Sequence, residues 1–144
     1  MDSDEALQRL VDIEAIKALR SRYSRAVDTK DWEAFGASFT EDARLSSEGG
    51  DHEGREAIVA SVSSALATAV TVHHQHTPEI DLTGPDTATG IWAMEDLVRI
   101  GDFELHGFGH YTEEYQRTPE GWRIRRSTLT RLRVDTSGEP PRAR

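Results

Sequence analysis

The sequence predicts an α+β fold in which N-terminal helices close a cone-shaped, curved antiparallel sheet into an α+β barrel. Three observations carry this. Apolar residues recur at three- and four-residue steps early in the chain, the pattern turns to alternation near residue 70, and short turn signals separate the alternating runs.

Residues 4–28 read as an amphipathic helix that Ser3 or Asp4 can cap, with Leu10, Ile13, Ile16, Leu19, Tyr23 and Ala26 or Val27 as its apolar stripe. A short helix from Asp31 offers Trp32, Phe35 and Phe39. TEDARLSS suits a brief strand, Gly49-Gly50 breaks the chain, and residues 54–67 read as a third helix. Strands are expected at 70–82, 87–100, 104–117 and 121–133. Between them lie Gly84-Pro85-Asp86, Gly101-Asp102 and Thr118-Pro119-Glu120-Gly121, all turn formers. Residues 1–136 are expected to form one domain and 137–144 a flexible tail. Long strands joined by tight turns curl strongly, and a curled sheet closed by helices encloses a pocket. The uncovered sheet face predicts a homo-oligomer.

The 144 residues suffice for one core. Net charge is −9, with 26 acidic against 17 basic residues, which disfavours a nucleic-acid partner. The one basic run, WRIRRSTLTRLR, places five arginines on a strand that divides them between two faces. The absence of cysteine excludes disulfides, thiolate catalysis and cysteine-ligated zinc. No apolar run approaches a membrane span, and MDSDEALQRL is acidic and amphipathic, unlike a leader; a cytoplasmic address is expected. No glycine-rich phosphate loop is present, so no cofactor is expected.

Residues 73–96 hold the densest chemistry. Three histidines fall within four residues of one strand, and Glu95 and Asp96 fall on the next. Strand parity turns His73 and Gln75 one way, His74 and His76 the other. His74, His76 and Glu79 could be read as a metal set, but the outward pair suits solvent or a subunit contact better, and no metal is expected. Asp96 shares its face with Trp92 and Met94; it is a buried functional group or a structural acceptor for a strand or an arginine. Glu95, on the other face, suits a surface ion pair. Tyr23 lies on the helical stripe, where an aromatic is usually core. Asp28 sits at the helix end, where an acid opposes the dipole, unless it serves a local turn. For Arg131 and Trp122 both to point inward, a bulge must intervene near residues 125–127. His110 is a pocket candidate or a surface histidine.

IEAIKALRSRYSRAVDTKDW, HTPEI and TATGIWAMED together resemble a SnoaL-like domain of the nuclear-transport-factor-2-like superfamily, most closely the bile acid 7α-dehydratase and scytalone dehydratase type. GFGHYTEEYQRTPEGWRI fits the broader family, while residues 39–70 match poorly. Carried over by position, the resemblance implies a catalytic set of Tyr23, Asp28, His73, Asp96 and Arg131. Departures at His74, Gln75 and Ala93, and a missing C-terminal extension, bear on the substrate.

The expected chemistry is cofactor-independent dehydration of a hydrophobic, steroid- or polyketide-like hydroxy-ketone. His73 acts as base, Asp96 fixes its tautomer, and Tyr23 donates to a carbonyl or leaving oxygen. Asp28 and Arg131 orient the substrate or complete the polar network, with Trp92, Met94 and His110 binding it. The alternatives are an isomerase or aldol-type cyclase on a similar ketone, or a binding module without catalysis.

Overall fold

The structure, a computed structural model, describes residues 1–142. Helix α1 (Ser3–Thr29) starts one residue earlier than the sequence suggests, because Asp2 is its cap. Asp2 accepts from the Glu5 N–H at 2.8 Å while Glu5 accepts from the Asp2 N–H at 3.2 Å, a reciprocal capping box. The helix ends where Lys30 takes a left-handed φ of 59° and the Asp31 N–H donates to the Ala26 carbonyl at 2.8 Å. Asp31 then caps α2 (Trp32–Gly36).

Strands β1 (Phe39–Ser47) and β2 (Gly50–Glu53) form a hairpin, followed by α3 (Arg55–Leu66). The four long strands are β3 (Val70–Leu82), β4 (Thr87–Ile100), β5 (Phe103–Thr118) and β6 (Gly121–Ser137). These make an antiparallel meander, as expected. The sheet as a whole is mixed rather than antiparallel, because β1 pairs parallel with β6. Its order is β2-β1-β6-β5-β4-β3, a curved sheet left open and not a closed barrel. The β6 strand runs to Ser137, past the expected domain end, and residues 143 and 144 of the expected tail lie outside the described residues.

The core lies between α1 and the inner sheet face. Ile16, Leu19, Tyr23, Ala26 and Val27 pack with Phe35, Phe39, Ile58, Tyr115, Trp122 and Ile124. Leu10, expected in the stripe, is exposed; the buried side of α1 begins in earnest at Ile16. Ahead of that point the buried side chain is polar: Asp12 accepts from Arg117 at 2.7 Å and from Trp122 at 3.3 Å.

The bulge required in β6 exists. Glu114 faces Arg126 and Tyr115 faces Ile124, so Arg125 is the extra residue. It lets Trp122 and Ile124 point inward before it and Ser127, Leu129 and Arg131 after it. The arginines of this strand are largely spoken for, by Glu114 for Arg126, Asp96 and Glu48 for Arg131, and Asp135 for Arg133. Among the described residues no helix is long and apolar enough to cross a membrane.

Candidate active site

His73 projects from β3 toward the end of α1, where Asp28 meets it. Asp28 Oδ1 lies 2.7 Å from His73 Nδ1 and accepts from the Thr71 hydroxyl at 2.9 Å, while Oδ2 accepts from the His73 backbone N–H at 2.9 Å. Burial pushes the Asp28 carboxyl up, but the hydrogen bonds from His73 and Thr71 outweigh it and hold the group below the usual carboxylate range. An ionised carboxylate only accepts, so Nδ1 carries a proton, and in the neutral imidazole the lone pair lies on Nε2. The imidazole is thereby set up as a base at Nε2, with about an eighth of its side chain exposed (12%).

This reassigns the orienting carboxylate. Asp96 is the direct cross-strand partner of His73 and shares its face, as strand parity requires. Both its oxygens, however, are taken by Arg131, Nη1 to Oδ1 at 2.5 Å and Nη2 to Oδ2 at 3.0 Å. The planar guanidinium matches a carboxylate in this two-pronged way, and a lone imidazole nitrogen competes poorly. Burial pushes the Arg131 guanidinium down, but Asp96 and then Glu48 more than reverse it, so the group is raised overall. Gly107 makes room: a methyl group there would overlap Arg131 Nη1 and Asp96 Oδ1.

Tyr23 is buried against Phe35 and Phe39, with ring centroids 5.2 and 5.7 Å away. Its phenol is pushed up by burial, only partly offset by Arg20, and so keeps its proton at neutral pH. Trp92 and Met94 line the same inner face with Tyr111, and Trp92 donates to the Tyr115 hydroxyl at 2.9 Å. Met94 Sδ lies 3.8 Å from Arg131 Nη1. His110 does not belong here. It lies opposite Ala93 on the outer face, because its neighbours Gly109 and Tyr111 take the inward parity.

The structure adds a buried arginine that the sequence pattern does not single out. The Arg20 guanidinium lies between the Tyr23 and Tyr111 rings, 3.9 Å from each centroid, and its Nε is 3.1 Å from Glu113 Oε1. That contact is ionic without hydrogen-bond alignment, and the guanidinium nitrogens find no aligned acceptor among the described residues. Glu113 also accepts from Tyr115 at 2.8 Å and Ser127 at 2.6 Å. The available signal is positional. Arg20 falls one turn from Ile16 and three residues before Tyr23, and Glu113 continues the inward alternation of Tyr111 and Tyr115.

His74 and His76 do face outward. Their potential third partner is Glu95, not Glu79, which a register shift between His76 and Glu79 separates from them.

A family profile described as a SnoaL-like domain matches residues 8–128. Solved structures agree in fold. An NTF2-like protein with a cystatin-like fold from Novosphingobium aromaticivorans is 26% identical, with TM-score 0.78 over 90% of this chain and 87% of its own. A candidate scytalone dehydratase from the same organism is 22% identical, with TM-score 0.82 over 94% and 92%. A hexachlorocyclohexane dehydrochlorinase, LinA Type2, is also 22% identical, with TM-score 0.84 over 96% and 97%. The profile spans most of the chain, so the protein belongs to the SnoaL-like domain family.

Proposed function

We propose that the protein is a cofactor-independent hydro-lyase that removes water from a hydrophobic, steroid- or polyketide-like hydroxy-ketone. The observation that carries this is the Asp28–His73 pair, 2.7 Å apart, on the inner sheet face that also carries Asp96 and the Trp92, Met94 and Tyr111 cluster. Family membership and the names of the similar structures, a dehydratase and a dehydrochlorinase, support small-molecule chemistry of the lyase or isomerase type.

His73 Nε2 takes the proton alpha to the substrate carbonyl, and the C–H electron pair moves into an enolate. Asp28 stabilises the imidazolium that forms. Tyr23 donates to the enolate or leaving oxygen. The enolate then collapses, the C–O bond breaks, and the departing hydroxide takes a proton from the imidazolium to leave as water. The Arg131–Asp96 pair orients the polar end of the substrate, with Trp92 and Met94 against its apolar body. Self-association into a dimer or trimer belongs to the same proposal and is checked by sedimentation.

A panel of fused-ring β-hydroxy-ketones tests the proposal. Each is incubated with the protein in D2O, and mass loss of one water and deuterium uptake at the alpha carbon are followed together. Both are expected, and both should vanish in His73→Ala. Deuterium uptake without water loss favours the isomerase or cyclase reading. Tight binding with neither, unaffected by His73→Ala, leaves a binding module.

A further inference from the structure

The sheet face turned away from the helices carries a polar cluster that this reaction does not use. His74 and His76 stand two residues apart on that face of β3, and Glu95 of β4 stands directly across from His74. One ligating atom from each lies within 4.8 Å of the other two, and both histidines are exposed. The residue opposite His76 is Ala93, with His110 of β5 beyond it on the same face. From β5, His106 Nε2 approaches Glu95 Oε2 to 2.6 Å, leaving Oε1 available to a ligand.

We propose that His74, His76 and Glu95 bind one divalent transition-metal ion of the zinc class, a clip that ties β3 to β4. Two imidazoles and a carboxylate suit Zn2+, Co2+ or Ni2+; Mg2+ and Ca2+ prefer all-oxygen shells. Tetrahedral zinc, with bonds of about 2.0–2.2 Å, needs ligand atoms roughly 3.4 Å apart. His74 and His76, both exposed, can close the remaining gap by turning about χ1 and χ2. Glu95 ligates through one oxygen while His106 steadies the other, an outer-shell contact of the kind that orients ligating groups.

The location gives the clip a consequence. β3 is an edge strand, paired only to β4. Its register breaks between His76 and Glu79, and Thr77 holds a left-handed φ of 37°, an unusual state for a β-branched residue. An ion joining His74 and His76 to Glu95 pins the strand just before that break, on the segment whose opposite face presents His73.

Titration of the metal-free full chain with Co2+, followed by Zn2+ displacement, tests this. One equivalent of Co2+ is expected to bind with the visible absorbance of a four- or five-coordinate site, and Zn2+ should raise Tm. His74→Ala and His76→Ala should each weaken binding by at least about 30-fold, and His106→Gln by roughly 10-fold. His52→Gln, on β2 at the far edge, should leave it unchanged, with circular dichroism confirming the fold of every variant. Wild-type affinity in both His74→Ala and His76→Ala, or clearly substoichiometric binding, overturns the proposal. So does loss of binding in His73→Ala with His74 intact, which would move the ion to the Asp28 side. Zinc-dependent pairing of chains at half an ion per chain overturns the intrachain clip.

Discussion

Replacing Asp28 with asparagine tests the central geometry, because the structure dictates how the amide must turn. Oδ2 accepts from the His73 backbone N–H, a donor that cannot reverse, so the amide oxygen must take that position. The NH2 group then faces His73 Nδ1 and the Thr71 hydroxyl. The hydroxyl can rotate to accept, but the imidazole must surrender its Nδ1 proton and carry it on Nε2 instead. The atom meant to take a proton becomes one that already holds it. Loss of general-base catalysis typically costs 10²–10⁴ in rate, about 2.7–5.5 kcal/mol in the barrier. The stability cost is smaller. Three hydrogen bonds to a charged acceptor become bonds to a neutral amide at about 1 kcal/mol each, discounted because Asp28 is a quarter exposed (24%). That leaves about 1–2 kcal/mol, or roughly 2–8 °C in Tm for a domain of this size. The assay pairs turnover of the ketone substrate with nitrogen-15 NMR of the imidazole. A variant within about fivefold of wild-type kcat, or one whose Nε2 stays unprotonated, would refute the reasoning.

Arg131→Met should be among the most destabilising single changes, by about 3–5 kcal/mol, because it strands the Asp96 carboxylate at 4% exposure; chemical denaturation measures it, and Arg131→Met/Asp96→Leu should recover much of the loss. Gly107→Ala should separate that same pair by steric overlap and lower Tm, with a crystal structure or the Arg131 side-chain NMR signal reporting the displacement. Acid should weaken the fold through Asp28 and Asp12, both held below their usual range. Their folded-state values are depressed, so their contribution is complete above the unfolded value near pH 4 and is lost as pH falls through the lowered values. Asp28→Asn and Asp12→Asn should flatten the stability-versus-pH curve there, as followed by thermal melts.

Periodicity makes most of this architecture legible. The helical stripe from Ile16 to Val27 and the alternation in β3 to β6 are local patterns, and the parity conflict between Trp122 and Arg131 is enough to require the bulge found at Arg125. β2 is silent in the sequence because Gly50–Glu53 has no apolar residue and so no period to read. The parallel pairing of β1 with β6 is equally hidden, since pairing between distant segments leaves no mark on either alone. Within the site, parity places His73 and Asp96 on one face, but hydrogen-bond partners depend on reach across elements. Asp28 and His73 stand on different elements far apart in sequence, and only the misplaced acid at the end of α1 hints that something requires it. The competition between Arg131 and His73 for Asp96 is likewise decided by guanidinium geometry, which a pattern of faces does not contain.

The parallel contact between β1 and β6 sets an order on folding. Phe39 finds its ladder partner in Ile124, and residues 44–46 find theirs in 126–128, so the first strand waits for the last. During synthesis the hairpin of β1 and β2 must stay unpaired on that side until residues 124–128 have left the ribosome, whereas β3, β4 and β5 can zip up one turn at a time. Truncation within β6 therefore removes more than one strand: it deprives the β1–β2 hairpin of its template.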